Sequence, residues 1–162
     1  MNATDTLTTL FKHHLWANLC LLDHCAALTD EQLDATIPGA QGSILDTLRH
    51  MVGSEKHYYS RISTGQRYQG PEHAPPMTMA DMVESARKTG TGLVEWATKV
   101  QPADTVMIDW DGTPREVPKT AILTQVINHA TEHREQVKAI MTQIGIEPPD
   151  LSGWTYFDDM DR

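Results

Sequence analysis

The sequence predicts an all-α protein: a bundle of four long helices, with a small β-hairpin between the third and the fourth. Three observations point there. Four stretches carry apolar residues at helical spacing over several turns, each bounded by capping or breaking residues. The connections between them are mostly short. At 162 residues, with 40% apolar and 22% charged residues, the chain has the size and composition of one globular domain, read as residues 1–162.

The first segment, about Thr6 to Leu28, sets Leu7, Leu10, Phe11, Leu15, Leu19, Leu22 and Ala26 on a helical period. TDEQLDA then reads as a short polar helix, with Thr29 as N-cap and Gln32 completing a capping box. Pro38, Gly39 and Gly42 break the chain. Ser43 and Asp46 open the second long helix, SILDTLRHMVGSEKHYYSRIS, which stops near Gly65, and QRYQGPEHAPP is a loop. Thr78 caps the third long helix, about Met79 to Val100, with Met82, Val83, Ala86, Leu93, Trp96 and Ala97 on its apolar side. Gly90 and Gly92 weaken its middle. Val106, Ile108 and Trp110 alternate ahead of an Asp111-Gly112 turn, which is a hairpin signal. Pro118 leads into the fourth long helix, Lys119 to about Ile144, stopped by Gly145; the tail PPDLSGWTYFDDMDR is expected to be irregular.

Charge narrows the function. With 13 basic and 22 acidic residues the net charge is −9. Such a chain is repelled by a phosphate backbone and by anionic lipid, and no run of basic residues reverses this, so neither nucleic acid nor a membrane is an expected partner. No stretch approaches the roughly 18 apolar residues of a membrane span. MNATDTLTTLFKHH lacks the basic start and apolar run of a secretory signal. Cys20 and Cys25, five apart in a helical pattern, point to different faces, which disfavours a disulfide. Reduced thiols in a cytoplasmic protein are the expectation, with Cys20 as a small core residue.

The chemistry lies in the histidines. On the fourth long helix Ile122, Val126, His129, Ala130, His133, Val137, Ile140 and Ile144 share a face, so His129 and His133 point at the core. Side chains at i and i+4 stand about 6 Å apart at Cβ, which lets two imidazoles converge on one ion through bonds of about 2.0 to 2.1 Å. On the second long helix Leu45, Leu48, Met51, Val52 and Ile62 mark the buried side, and His50 sits at its edge, able to reach across. Three neutral imidazoles leave one or two coordination positions open. A lone interior histidine is more often a hydrogen-bonded core residue; two in register each need a polar partner in a dry place. The pattern alone leaves both readings open.

HATEH also fits the inverted zinc-protease motif H-x-x-E-H, but only a short tail follows to supply a further carboxylate ligand and a large cleft. A ferritin-like di-iron site needs Glu-x-x-His pairs, and the chain has none.

Several stretches together resemble the DinB/YfiT-like family of metal-binding four-helix bundles. HHLWANLCLLDHCAALTDEQL is similar to that family's opening, GSILDTLRHMVGSE to its second-helix signature with a histidine at His50, and NHATEHREQV to its fourth-helix signature of paired histidines followed by Arg-x-Gln. PPDLSGWTYF is similar to its ending, so the match covers nearly the whole chain in order. The resemblance implies an up-down-down-up bundle with a long crossover. It also implies a divalent metal such as zinc or nickel at His50, His129 and His133, with water completing the shell, and frequent homodimers. The chain departs from the family pattern at Glu132 and Glu135, where a second histidine and a glycine are common, and at His13 and His14, where an aromatic-polar pair is common. These departures spare the three ligands and loosen any inference about substrate.

Relatives imply thiol-dependent chemistry. The leading expectation is therefore a metal-dependent S-transferase acting on a small-molecule thiol and an electrophile, with a hydrolase as its neighbour. A non-catalytic metal-binding or dimerisation module is the contrasting class. Glu132 and Gln136 flank His133 as candidate partners for its second nitrogen. His13 and Trp16 are candidate pocket residues; His57 is expected to pack or lie at the surface, and His14, His24 and His73 are expected at the surface.

Overall fold

The computed structural model describes residues 5–160. In chain order it contains α1 (Thr6–Ala26), α2 (Asp30–Leu33), α3 (Ile44–Thr64), α4 (Met79–Ala97), β1 (Thr105–Trp110), β2 (Thr113–Pro118), α5 (Lys119–Gln143) and α6 (Gly153–Met160). Side chains that satisfy free N–H groups set the helix starts. Asp5 accepts from the Thr8 N–H and Ser43 from that of Asp46, while Thr29 and Thr78 build capping boxes with Gln32 and Asp81. Gly65 at φ 74° and Gly145 at φ 79° follow α3 and α5 in the left-handed region that glycine enters without steric cost. The hairpin pairs Trp110 with Thr113 around Asp111 (φ 53°) and Gly112 (φ 82°), the double positive φ of a type I′ turn.

Two apolar clusters reveal the helix directions. One joins Leu21, Leu22 and Cys25 of α1 to Ile44 and Leu48 of α3, Met82 and Ala86 of α4, and Val137, Ile140 and Met141 of α5. The other joins Phe11, Ile62, Leu93, Ala97, Ile122 and Val126, with Val106 of the hairpin. Thus α1 and α5 run one way and α3 and α4 the other, which is the up-down-down-up order. α1 packs chiefly on α4, and α3 on both α4 and α5, which leaves α1 and α3 on the diagonal. Because α3 and α4 are parallel, residues 65–78 must travel the bundle's length. Fourteen residues reach about 46 Å when extended, and a 21-residue helix is about 32 Å long, so the crossover fits. Among the described residues no helix is long and apolar enough to cross a membrane.

The glycines of α4 have a packing reason. A Cβ on Gly90 would lie 2.6 Å from Leu15 Cδ1, and one on Gly92 would overlap the Tyr59 ring. They let α1 and Tyr59 approach closely, at a cost in helix propensity.

The tail departs from expectation. Residues Gly153–Met160 form α6, begun by Ser152, whose Oγ accepts from the Thr155 N–H at 3.2 Å. Tyr156 of α6 packs edge-on against His13 and at a tilt against Trp16, at ring separations of 5.6 and 5.5 Å. The core cysteine is Cys25, fully buried, whereas Cys20 is half-buried; both are free thiols.

Between the apolar clusters lies a buried polar layer. Glu55 of α3 accepts from Asn18 Nδ2 at 3.1 Å and from the Thr89 hydroxyl, and its Oε2 lies 2.8 Å from His14 Nε2. Arg134 of α5 donates to Asn18 Oδ1 at 2.7 Å and to Thr131 Oγ1 at 3.0 Å. All four long helices contribute. Each buried polar group here needs its partners, because leaving one unpaired in the interior costs about 1–3 kcal/mol. His14, expected at the surface, is 1% exposed and belongs to this layer.

Candidate metal centre

His50 of α3 and His129 and His133 of α5 come together where these antiparallel helices pack. Their ligand nitrogens all lie within 4.8 Å of one another. His129 Nε2 is 3.1 Å from His50 Nε2 and 3.2 Å from His133 Nε2. Bonds of about 2.05 Å would put donor atoms about 2.9 Å apart at right angles and about 3.3 Å apart at the tetrahedral angle. The observed separations fall between, so the residues fit a first-row divalent ion.

Counting protons reaches the same end. The Gln41 N–H donates to Gln136 Oε1 at 3.3 Å, which fixes that atom as the amide oxygen. His133 Nδ1 lies 2.8 Å from the same oxygen, so Nδ1 carries the proton and Nε2 a lone pair. A hydrogen bond between His133 and His129 then requires the proton on His129 Nε2. That leaves His129 no lone pair for a proton from His50. No set of neutral imidazoles gives each contact its own hydrogen bond; one cation facing three lone pairs satisfies all of them.

The electrostatics favour the neutral, ligating form. Burial, reinforced by His133 and His50 and opposed by Glu55, holds His129 down at about 4. Burial first and His133 second lower His50 also. Both are therefore neutral at pH 7.

The other expected residues divide. Gln136 is the partner of His133; Glu132 is exposed and makes no hydrogen bond with it among the described residues. His13 does not join the cluster: its Nε2 lies 2.8 Å from the Leu151 carbonyl and its ring packs on Trp16 and Tyr156, so the pair anchors the tail. His57 is half-buried against Tyr68, and His73 is exposed. The sequence reading missed Glu55, Asn18 and Arg134; Glu55 reaches the centre electrostatically, opposing the lowering of His129, and Asn18 links Glu55 to Arg134. Its signal was present: each is a polar residue on an otherwise apolar helix face, Glu55 between Met51 and Ile62, for example.

The DinB family model matches residues 1–160. The chain belongs to the DinB family. Its fold is also similar to the crystal structure of a DinB-like protein from Bacillus cereus ATCC 10987, at 25% identity and a TM-score of 0.59, over 85% of this chain and 90% of that one. No curated protein matches it. In this DinB-family chain the histidine cluster joins two helices that lie far apart along the chain, α3 and α5, and meet through the up-down-down-up topology. The site therefore depends on the whole bundle.

Proposed function

We propose that this DinB-family protein is a metal-dependent enzyme in which His50, His129 and His133 hold a zinc or nickel ion and a small-molecule thiol, or water, is the nucleophile, with S-transfer to an electrophile as the leading reaction. The observation that carries the reading is the convergence of three Nε2 atoms whose contacts no neutral proton arrangement satisfies. A divalent ion there supplies Lewis acidity, which brings the pKa of a coordinated thiol or water toward neutrality.

The chain's own residues do the rest. Gln136 orients His133 and fixes its tautomer. Burial keeps His129 and His50 unprotonated at neutral pH. Among the described residues no further His, Cys, Asp or Glu joins the cluster, so positions remain for substrate, as in catalytic rather than structural sites. Tyr58, whose ring is 5.6 Å from that of His129, forms one wall. Homodimerisation belongs to the same proposal, with exposed Leu7 and Leu10 of α1 as apolar surface for it.

The test is turnover. Protein reconstituted with zinc or nickel is given a low-molecular-weight thiol and 1-chloro-2,4-dinitrobenzene, and thioether formation is followed by absorbance. Metal-dependent turnover lost in His129→Ala supports the enzyme; stoichiometric metal binding without turnover across a panel of thiols, electrophiles and esters supports the non-catalytic module.

A further inference from the structure

We propose that the cleft between α3, α5 and the hairpin binds a monoanionic, largely apolar small molecule as substrate, its carboxylate held by Arg61 and Arg67. The placement of its reacting end rests on the metal-centre reading above; the anion pocket does not.

Two adjoining cavities form the cleft. One, of about 380 Å³, is lined by Ser54, His57, Tyr58, Arg61, Arg67 and Asp109. The other, of about 660 Å³, runs along α5 and the hairpin past Ile108, Trp110, Val117 and Ile122. Tyr58, Arg61 and Asp109 border both, so one molecule can occupy the two. The three histidines lie outside both linings, but the cleft comes within about a helical turn of them, and Tyr58 on its wall has its ring 5.6 Å from that of His129. Ser54 is one helical turn, about 6 Å, beyond His50, and Gln125 in the larger cavity is one turn before His129.

The smaller cavity is built for an anion. Neither guanidinium, Arg61 nor Arg67, has a hydrogen bond or ion pair among the described residues, although the chain carries a net charge of −9. Two unpaired guanidiniums on one cavity leave their donors available, and the planar fork suits a carboxylate. His57, which lines the same cavity, has a buried Nδ1 without a partner. Burial first, then Arg67, Arg61 and Lys56, lower the His57 pKa, so these cations act on one small volume while the imidazole stays neutral. Lys56 itself is turned to the Met77 sulfur and the Tyr68 ring. One carboxylate, Asp109, also lines the cavity, and its Oδ1 already accepts from the Gly112 N–H at 2.7 Å. Two guanidiniums against one carboxylate leave a single positive charge, which matches a carboxylate better than a phosphate dianion. The larger cavity shares Arg61 where the two meet, has Asp109 and Asp111 at its hairpin end, and is walled chiefly by Ile108, Trp110, Val117 and Ile122, which disfavours an anion beyond Arg61 and suits an apolar body. Arg61 and Arg67 are separated by the end of α3 in sequence, and the fold, not a basic run, brings them together.

The experiment measures binding of 4-phenylbutyrate, its neutral amide and phenyl phosphate to the full chain by calorimetry and ligand-observed NMR, with zinc and after chelation. The carboxylate should bind at least about tenfold more tightly than the amide, the scale of one charge-assisted contact. Arg67→Gln and Arg61→Gln should each weaken it about tenfold while zinc stoichiometry and melting temperature hold. Arg67 lies in an exposed loop, so that variant keeps the fold. Equal binding of carboxylate and amide, no effect of either variant, no binding at all, or a preference for phenyl phosphate would each overturn the proposal. Arginine-dependent carboxylate binding by a protein that takes up no zinc would sustain the pocket and remove the metal centre instead.

Discussion

Glu55→Ala is the substitution that most sharply tests how the buried polar layer holds the bundle together. It strips three contacts from the buried layer at once: those of His14, Asn18 and Thr89. It also takes the negative charge from the neighbourhood of Arg134, 4% exposed. Breaking a buried charged network on one side costs about 3–5 kcal/mol. For a domain of this size about 2–4 °C is lost per kcal/mol, so the melting temperature should fall by roughly 6–20 °C. Glu55→Gln separates hydrogen bonding from charge. Its amide nitrogen can donate to Thr89 Oγ1, whose own proton then goes to the Ser85 carbonyl 2.9 Å away, while the amide oxygen still accepts from Asn18. Glu55 and Arg134 form no direct ion pair, since Asn18 stands between them. Hydrogen bonds should therefore dominate, and the glutamine variant should recover at least half of the loss. Thermal and urea unfolding followed by circular dichroism read both variants. A loss under about 1 kcal/mol for alanine, or a glutamine variant as damaged as alanine, would refute the reasoning.

Three further outcomes follow from the geometry. Because His129 is held at about 4 and His50 is also lowered, the unfolded chain binds more protons than the metal-free folded one between about pH 4 and 6.5; its stability should be full above about 6.5 and fall as pH drops through that window, as urea midpoints of the metal-free protein against pH will show. Gln136→Ala removes the acceptor of His133 Nδ1 and should weaken zinc binding about 10- to 100-fold in a chelator competition without unfolding the bundle. Gly90→Ala gains about 1 kcal/mol of helix propensity but drives a methyl against Leu15, whose Cβ at 3.2 Å cannot rotate away; overpacking of about 1–3 kcal/mol should outweigh the gain, giving a lower urea midpoint.

Local signals carried much of this structure. Thr29, Ser43 and Thr78 cap their helices through neighbours three residues away, and Gly65 and Gly145 mark the ends, so these boundaries are legible from short windows. The three histidines were legible because helical phase points two of them inward and the third to the facing edge. What escaped depends on long-range partners or short elements. Eight residues of α6, starting at Gly153, show too little period to stand out, and Tyr156 is held by His13 and Trp16, far away in sequence. Phase alone likewise could not seat His14 inside, since its partner Glu55 sits on the diagonal helix. The anion pocket needed the turn of chain after α3 to bring Arg67 back toward Arg61, which no periodicity encodes.

The central claim is that His50, His129 and His133 hold a metal ion, and elemental mass spectrometry tests it most directly. The measurement uses protein made without a polyhistidine tag, beside a His129→Ala/His133→Ala variant, each reloaded with zinc or nickel and dialysed. The account predicts about one divalent ion per native chain and essentially none in the variant. Native protein that holds no metal after reloading, or a variant that holds as much, would contradict it.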